Sequence, residues 1–137
     1  MAKLFKFEVV TPHRVFHSDD VEMIVFDTIQ GEMGVLADHV PMLIANIPCV
    51  LKIQNGKEKR YAYISEGFIE ISPSKVTAIV DVAEWADEID LEQAIKDKKL
   101  AEEKLYNEKQ DLQMKAELRA SIERSARRIK TAETIRQ

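Results

Sequence analysis

The residues able to do chemistry fall into a few groups. His13 and His17 stand four apart, with Asp19 and Asp20 close behind. On a helix that spacing would offer a metal two imidazoles from one face, flanked by carboxylates. Pro12 and the surrounding pattern predict a turn and a strand instead, so these side chains read as polar surface. His39 follows the turn Gly31-Glu32-Met33-Gly34 and precedes Pro41, a context that fits a structural or interface histidine better than a catalytic one. Asp90 and Gln93 match a capping box, with an acceptor at the N-cap and a Gln reaching back from three residues on. Arg124, Arg127 and Arg128 crowd one helical turn, where they could hold phosphates or face the acidic first helix; residue type alone favours the second. The single cysteine, Cys49, excludes an internal disulfide and a Cys-based zinc site. Its apolar setting, Ile47-Pro48-Cys49-Val50-Leu51, is that of a buried, inert thiol. No serine, cysteine or lysine has the neighbours of an activated nucleophile, and the sequence holds no P-loop, dinucleotide-binding, zinc-protease or nucleophile-elbow motif.

The elements that must position these residues divide the 137-residue chain in two. All four glycines and all four prolines lie at or before Pro73. Up to about Val82 the sequence reads as short strands. Phe5, Phe7 and Val9 alternate with Lys6, Glu8 and Val10. Val21 to Phe26 is apolar at nearly every position, as in a strand covered on both sides. Asn55-Gly56 predicts a type I′ hairpin turn. Arg60–Ile64, Phe68–Ile71 and Lys75–Val82 follow, with Val76, Ala78, Val80 and Val82 on one face. Short strands at this spacing predict an antiparallel sandwich or barrel.

From about Glu84 the period changes. Leu91, Ala94 or Ile95, Lys98, Ala101 and Leu105 mark one helix face; Met114, Leu118, Ile122, Ala126, Ile129 and Ala132 mark another. The two series are out of phase, which places a turn between about Tyr106 and Asp111 and predicts an antiparallel helical hairpin. Glu84–Glu108 carries nine acidic and four basic residues, and Asp111–Gln137 seven basic and four acidic, so the helices should attract. Their narrow, Ala-rich stripes bury little area, and the turn has no Gly or Pro to forbid helix. The second half is therefore expected to be detachable, with a folded arrangement and an extended rod of roughly 70 Å at 1.5 Å per residue.

With 45% hydrophobic and 32% charged residues and a net charge of −4, the composition is that of a globular chain with no basic surface for nucleic acid. No apolar run reaches the ~18 residues of a membrane span. The opening residues lack the apolar core and cleavage site of a signal peptide, so an intracellular, soluble or peripherally attached protein is expected.

The stretch Gly31-Glu32-Met33-Gly34-Val35-Leu36-Ala37-Asp38-His39-Val40-Pro41 is similar to the G-E-x-G-V-L-P-x-H-x-P signature of the epsilon subunits of F-type ATP synthases, with Ala37 where Pro is usual. Glu66-Gly67-Phe68-Ile69-Glu70 and Val76–Glu84 running into Ile89-Asp90 agree with the same family, and the resemblance covers essentially the whole chain. It implies a ten-stranded antiparallel β-sandwich over 1–84 and a two-helix antiparallel hairpin over 85–137. It implies a rotor component of the central stalk with no catalytic activity of its own and no required cofactor. Its partners would be the gamma subunit and the c-ring, through the β-domain, and the alpha/beta catalytic head, through the extended hairpin, which blocks ATP hydrolysis. By the family pattern the c-ring contact falls on the loop holding Glu32 and His39. Attachment to the membrane would be through the complex alone, at the cytoplasmic face of a bacterial cell membrane or, as an alternative, the stromal face of a thylakoid. Some bacterial members also bind ATP in the folded hairpin, through I/L-D-x-x-R-A and second-helix arginines. Glu84, Ile89, Asp90, Ala94, Arg124 and Arg128 match those positions, but Gln93 stands in place of the motif arginine and removes a bidentate phosphate donor. The competing readings are a free-standing two-domain adaptor and a small enzyme built on His13, His17 or His39; the latter lacks any nucleophile–base pair.

Overall fold

The computed structural model describes residues 3–107, 109 and 111–136. Ten strands come first: β1 (Phe5–Val10), β2 (Val15–Val21), β3 (Met23–Thr28), β4 (Gly31–Leu36), β5 (Met42–Asn46), β6 (Cys49–Asn55), β7 (Glu58–Ile64), β8 (Gly67–Ile71), β9 (Lys75–Val80) and β10 (Ala83–Trp85). A single 3₁₀ turn, Ala86–Glu88, leads into α1 (Leu91–Tyr106) and then α2 (Leu112–Thr134). The strands form two five-stranded sheets, ordered β2-β1-β9-β8-β5 and β10-β7-β6-β3-β4. Among the described residues every pairing is antiparallel except β1 with β9, which run parallel. The ten-stranded sandwich and the two following helices agree with the family expectation.

Alternation builds the core. Phe7 and Val9 of β1, Ile24 and Phe26 of β3, Leu51 of β6, Ile64 of β7, Ile69 of β8 and Val76 and Ala78 of β9 are fully buried between the sheets, as period-2 patterning requires. Three local expectations need correcting. Val21–Phe26 is not one strand covered on both faces. Val21 ends β2, and within β3 only Ile24 and Phe26 are buried, while Met23 and Val25 are half-exposed on the outer face. Val82 does not continue the inward face of β9. That strand ends at Val80, and Val82 is exposed, its N–H donating to Ser65 Oγ at 3.0 Å. The β6–β7 hairpin has Gly56 and Lys57 as its central residues, and of these only Gly56 takes a positive φ, 65°. That is the type II′ pattern, with Gly first, rather than type I′. Glu22 Oε2 accepts from Gly56 N–H at 2.9 Å and pins the hairpin tip.

Both helices begin at an aspartate. Asp90 Oδ1 accepts from Gln93 N–H at 3.1 Å and Asp111 Oδ1 from Met114 N–H at 2.7 Å, each satisfying an otherwise orphaned donor. The chain turns between Tyr106 and Leu112, where the phase slip predicted it. Only Ala94 and Ala101 of α1 are buried, against Leu118, Ser125, Thr131 and Ala132 of α2. The Thr131 hydroxyl, fully buried, donates to Arg127 C=O at 2.7 Å. The hairpin meets the sandwich through a separate small apolar cluster: Tyr63 from the outer face of β7, Ile89, Ala132 and, partly buried, Leu91.

Candidate functional site

The junction of hairpin and sandwich gathers six of the residues singled out in the sequence. Strand β10 pairs with the edge of β7, so Glu84 lies directly across from Tyr63. The 3₁₀ turn then drops Ile89 against Tyr63, Asp90 caps α1 and Ala94 is fully buried in its first turns. Helix α2 returns along the sandwich and brings Arg124 and Arg128, one turn apart, over its edge. Arg128 grips Glu84 in a fork: Nε donates to Oε1 at 2.7 Å and Nη2 to Oε2 at 3.0 Å. Its Nη1 lies 4.0 Å from Asp97 Oδ2 on α1. Arg124 donates from Nε and Nη2 to Glu66 Oε1, at 3.0 and 2.7 Å. These pairs favour the charged forms: Arg124 holds the Glu66 carboxyl below its usual value, and the two guanidiniums are raised, chiefly by Glu66 and Glu84 respectively. Burial pushes the Tyr63 phenol well up.

Two expectations change here. Arg124 and Arg128 reach carboxylates of the sandwich rather than the acidic first helix, and of these two Arg128 also approaches α1, at Asp97. The capping box is half made. Gln93 uses its backbone on Asp90, but its side chain donates forward to Asp97 Oδ1 at 2.8 Å rather than back to the cap. Glu66, Asp97 and Tyr63 were the residues that sequence reasoning missed. Glu66 stood in a family-like stretch with no role attached, and its partner is 58 positions away.

The second group lies at the β4–β5 loop. Glu32 is exposed on β4, and Asp38 takes a left-handed φ of 64° while its carboxylate accepts from Lys3 Nζ at 2.8 Å. His39 is a clamp: Nδ1 meets Leu36 C=O and Nε2 meets Ser72 C=O, both at 2.7 Å, and its ring stands edge-on to Phe5. Both partners only accept, so a neutral ring donates to one of them at a time. His39 thereby ties this loop to the β8–β9 turn; Glu32 is not on the loop but near the opposite end of β4, paired with Asp27 and open to solvent, so the expectation of one loop holding both residues needs correcting. Leu36, Val40 and Met42 are exposed beside the loop, and with Met33 and Ile71 they line a cleft of about 320 Å³ next to His39.

The remaining histidines part company. His13 is exposed, but His17 is half-buried between Phe7 and Trp85, with Nδ1 lacking a hydrogen-bond partner. Trp85 itself is stacked on Phe16 (centroids 4.5 Å apart) and covered by the Arg60 guanidinium at 3.5 Å. No group of three or more His, Cys, Asp or Glu among the described residues could hold a metal ion. No described helix is long and apolar enough to cross a membrane.

The profile of the ATP synthase delta/epsilon chain beta-sandwich domain matches residues 4–86. The chain is 38% identical over 133 residues to the ATP synthase epsilon chain of Dehalococcoides mccartyi (strain BAV1), covering 97% of this chain and 94% of that one. It is 41% identical over 109 residues to that of Alkaliphilus metalliredigens, covering 80% and 81%. Among solved structures, a chain of the Euglena gracilis mitochondrial ATP synthase (OSCP/F1/c-ring, rotational state 1) superposes with a TM-score of 0.80 over 98% of this chain and 82% of that one, at 23% identity. A chain of the Tetrahymena thermophila central stalk/c-ring assembly does so at 0.64 and 12% identity, over 96% and 98%. These two likenesses are of fold.

Proposed function

Because the chain belongs to the epsilon-chain family of ATP synthases, we propose that it works as a non-catalytic part of the rotating central stalk, with its sandwich as the coupling body and its hairpin as a conformational brake on ATP hydrolysis. The single observation that carries the brake is how little holds the hairpin down: one small cluster at Tyr63, Ile89, Leu91 and Ala132, and two arginine–glutamate pairs. Meanwhile Ile95, Leu100, Tyr106, Leu112 and Met114 stay exposed along it. An apolar side left uncovered in the folded state is suited to burial elsewhere. In the extended state it would enter the alpha/beta head, and the basic α2 would meet acidic segments there.

The sandwich would bind the gamma subunit and the c-ring. Glu32, exposed near the β3–β4 end of β4, would be free to meet polar loops of the ring, and His39 would act by holding the β4–β5 loop in shape. The protein would then sit at the cytoplasmic face of a bacterial membrane through its partners. For the nucleotide set, the geometry supports a different reading from phosphate binding. Arg124 and Arg128 already hold carboxylates, and with Asp97 the ion-pair cluster has three negative groups against two positive ones. The test of the function is reconstitution. Added to an epsilon-depleted F-type ATPase, the full chain should lower hydrolysis, and a chain truncated after Glu88, which keeps β10 and Trp85, should bind without lowering it. Equal rates with no addition, the full chain and the truncation would refute the brake. Glu32→Ala should leave inhibition intact and weaken ion-driven synthesis.

A further inference from the structure

We propose that the Arg128–Glu84 fork is an ionic latch that docks the hairpin on the sandwich in place of a nucleotide, so that ATP does not set the docked population in this protein. The inference rests on reading the hairpin as a movable element. Its basis is the geometry of one guanidinium that joins three elements: α2 carries it, β10 supplies the two oxygens of Glu84, and α1 supplies Asp97. The bridge spans 44 positions in sequence, so it forms only when the hairpin is down.

Exposure separates this pair from its neighbour. The side chains of Arg124 and Glu66 are each 45% exposed, so that pair is screened and worth little. Those of Arg128 and Glu84 are 22% and 25% exposed, their hydrogen bonds are two and parallel, and the fork is flat and rigid. Removing Arg128 leaves Glu84 half-buried and without its partner, and removing Glu84 leaves Arg128 only the 4.0 Å approach to Asp97, which is the costly case. A triphosphate arriving here would meet Glu84, Asp97 and Glu66 before it found a free guanidinium edge, and Gln93 donates its amide to Asp97 rather than into the site. The positions that match a nucleotide site are thus already satisfied by the protein's own carboxylates.

The full chain would be spin-labelled at Lys57→Cys on the sandwich and Glu123→Cys on α2, Cys49 being buried and silent. The docked fraction would be read from the distance distribution along a urea series. Glu84→Gln should lower the docking equilibrium constant roughly tenfold or more, and Arg128→Lys, which keeps the charge and loses the fork, by an intermediate factor. The exchange Glu84→Arg with Arg128→Glu should recover part of the loss, Asp97 opposing a carboxylate at 128. Raising sodium chloride from about 0.05 M to about 0.5 M should weaken docking of the parent far less than Glu84→Gln does, because a pair this shielded is screened little. Millimolar Mg-ATP should move none of them. Docking of Glu84→Gln equal to the parent's, or a docked fraction of the parent that rises with ATP, would overturn the latch. Because these readings need no ATPase, they stand or fall separately from the hydrolysis assay.

Discussion

Ile89→Ala isolates the apolar half of hairpin docking. Ile89 is 3% exposed and lies in the cluster with Tyr63 and Ala132, apart from the sandwich core. The substitution removes three carbons, at about 0.8 kcal/mol each when buried, so roughly 2.4 kcal/mol of transfer energy, with any unfilled cavity adding to it. When the hairpin is undocked Ile89 faces water, so the whole loss falls on the docking step. At 1.4 kcal/mol per factor of ten, docking should weaken at least about fiftyfold. Asp90 still caps α1, and the residues of the main core are untouched, so the sandwich should keep its stability. Amide exchange followed by mass spectrometry reads both halves in one sample. Peptides from α2 should exchange faster by a factor of that order, while peptides from β1, β6 and β9 should not change. If α2 exchange were unaltered, the cluster would contribute nothing to docking. If every peptide accelerated together, hairpin and sandwich would be one cooperative unit, and the idea of a detachable hairpin would be wrong.

Other outcomes follow from single sites. His17 ordinarily titrates near 6.5, and burial beside Phe7 and Trp85, with Arg60 adding to it, lowers that value in the fold. Its contribution to stability is therefore complete above about pH 6.5 and declines as pH falls toward the folded value. In urea titrations at pH 7.5 and pH 5, His17→Leu should lose less stability on acidification than the parent, and an equal loss would remove His17 from the account. The Cys49 thiol is fully buried and pushed up to about 11, so iodoacetamide at pH 8 should label it only in denaturant; prompt labelling of the folded chain would contradict its placement. Gly67→Ala should destabilise the sandwich by a few kcal/mol, since a Cβ there would stand 2.2 Å from Ile79 O. A melting temperature unchanged from the parent would show that β8 and β9 approach less closely than this.

What the sequence determined by itself is local. The spacing of Phe5, Phe7 and Val9 specifies a strand, because a pleated chain sends alternate side chains to one face. Asp90 and Asp111 specify where helices start, because each carries an acceptor for a donor two or three residues on. The phase slip between the two stripes specifies the turn, because a helix cannot shift its apolar face without breaking. The order of the motif-bearing stretches carried the family as well. Tertiary structure alone decided the rest. Nothing near β1 announces a parallel partner at β9, since a ladder is written in two distant segments. Gly56 was legible as a turn, but its type depended on which residues the flanking strands paired. His17 looked like polar surface until Trp85, 68 positions on, met its ring edge to face. The α2 arginines were read against the nearest acidic helix, yet Arg124 and Arg128 close on Glu66 and Glu84 of the sandwich. Charge in a sequence says only that a partner of opposite sign is wanted; which one it meets depends on the path the chain takes in space.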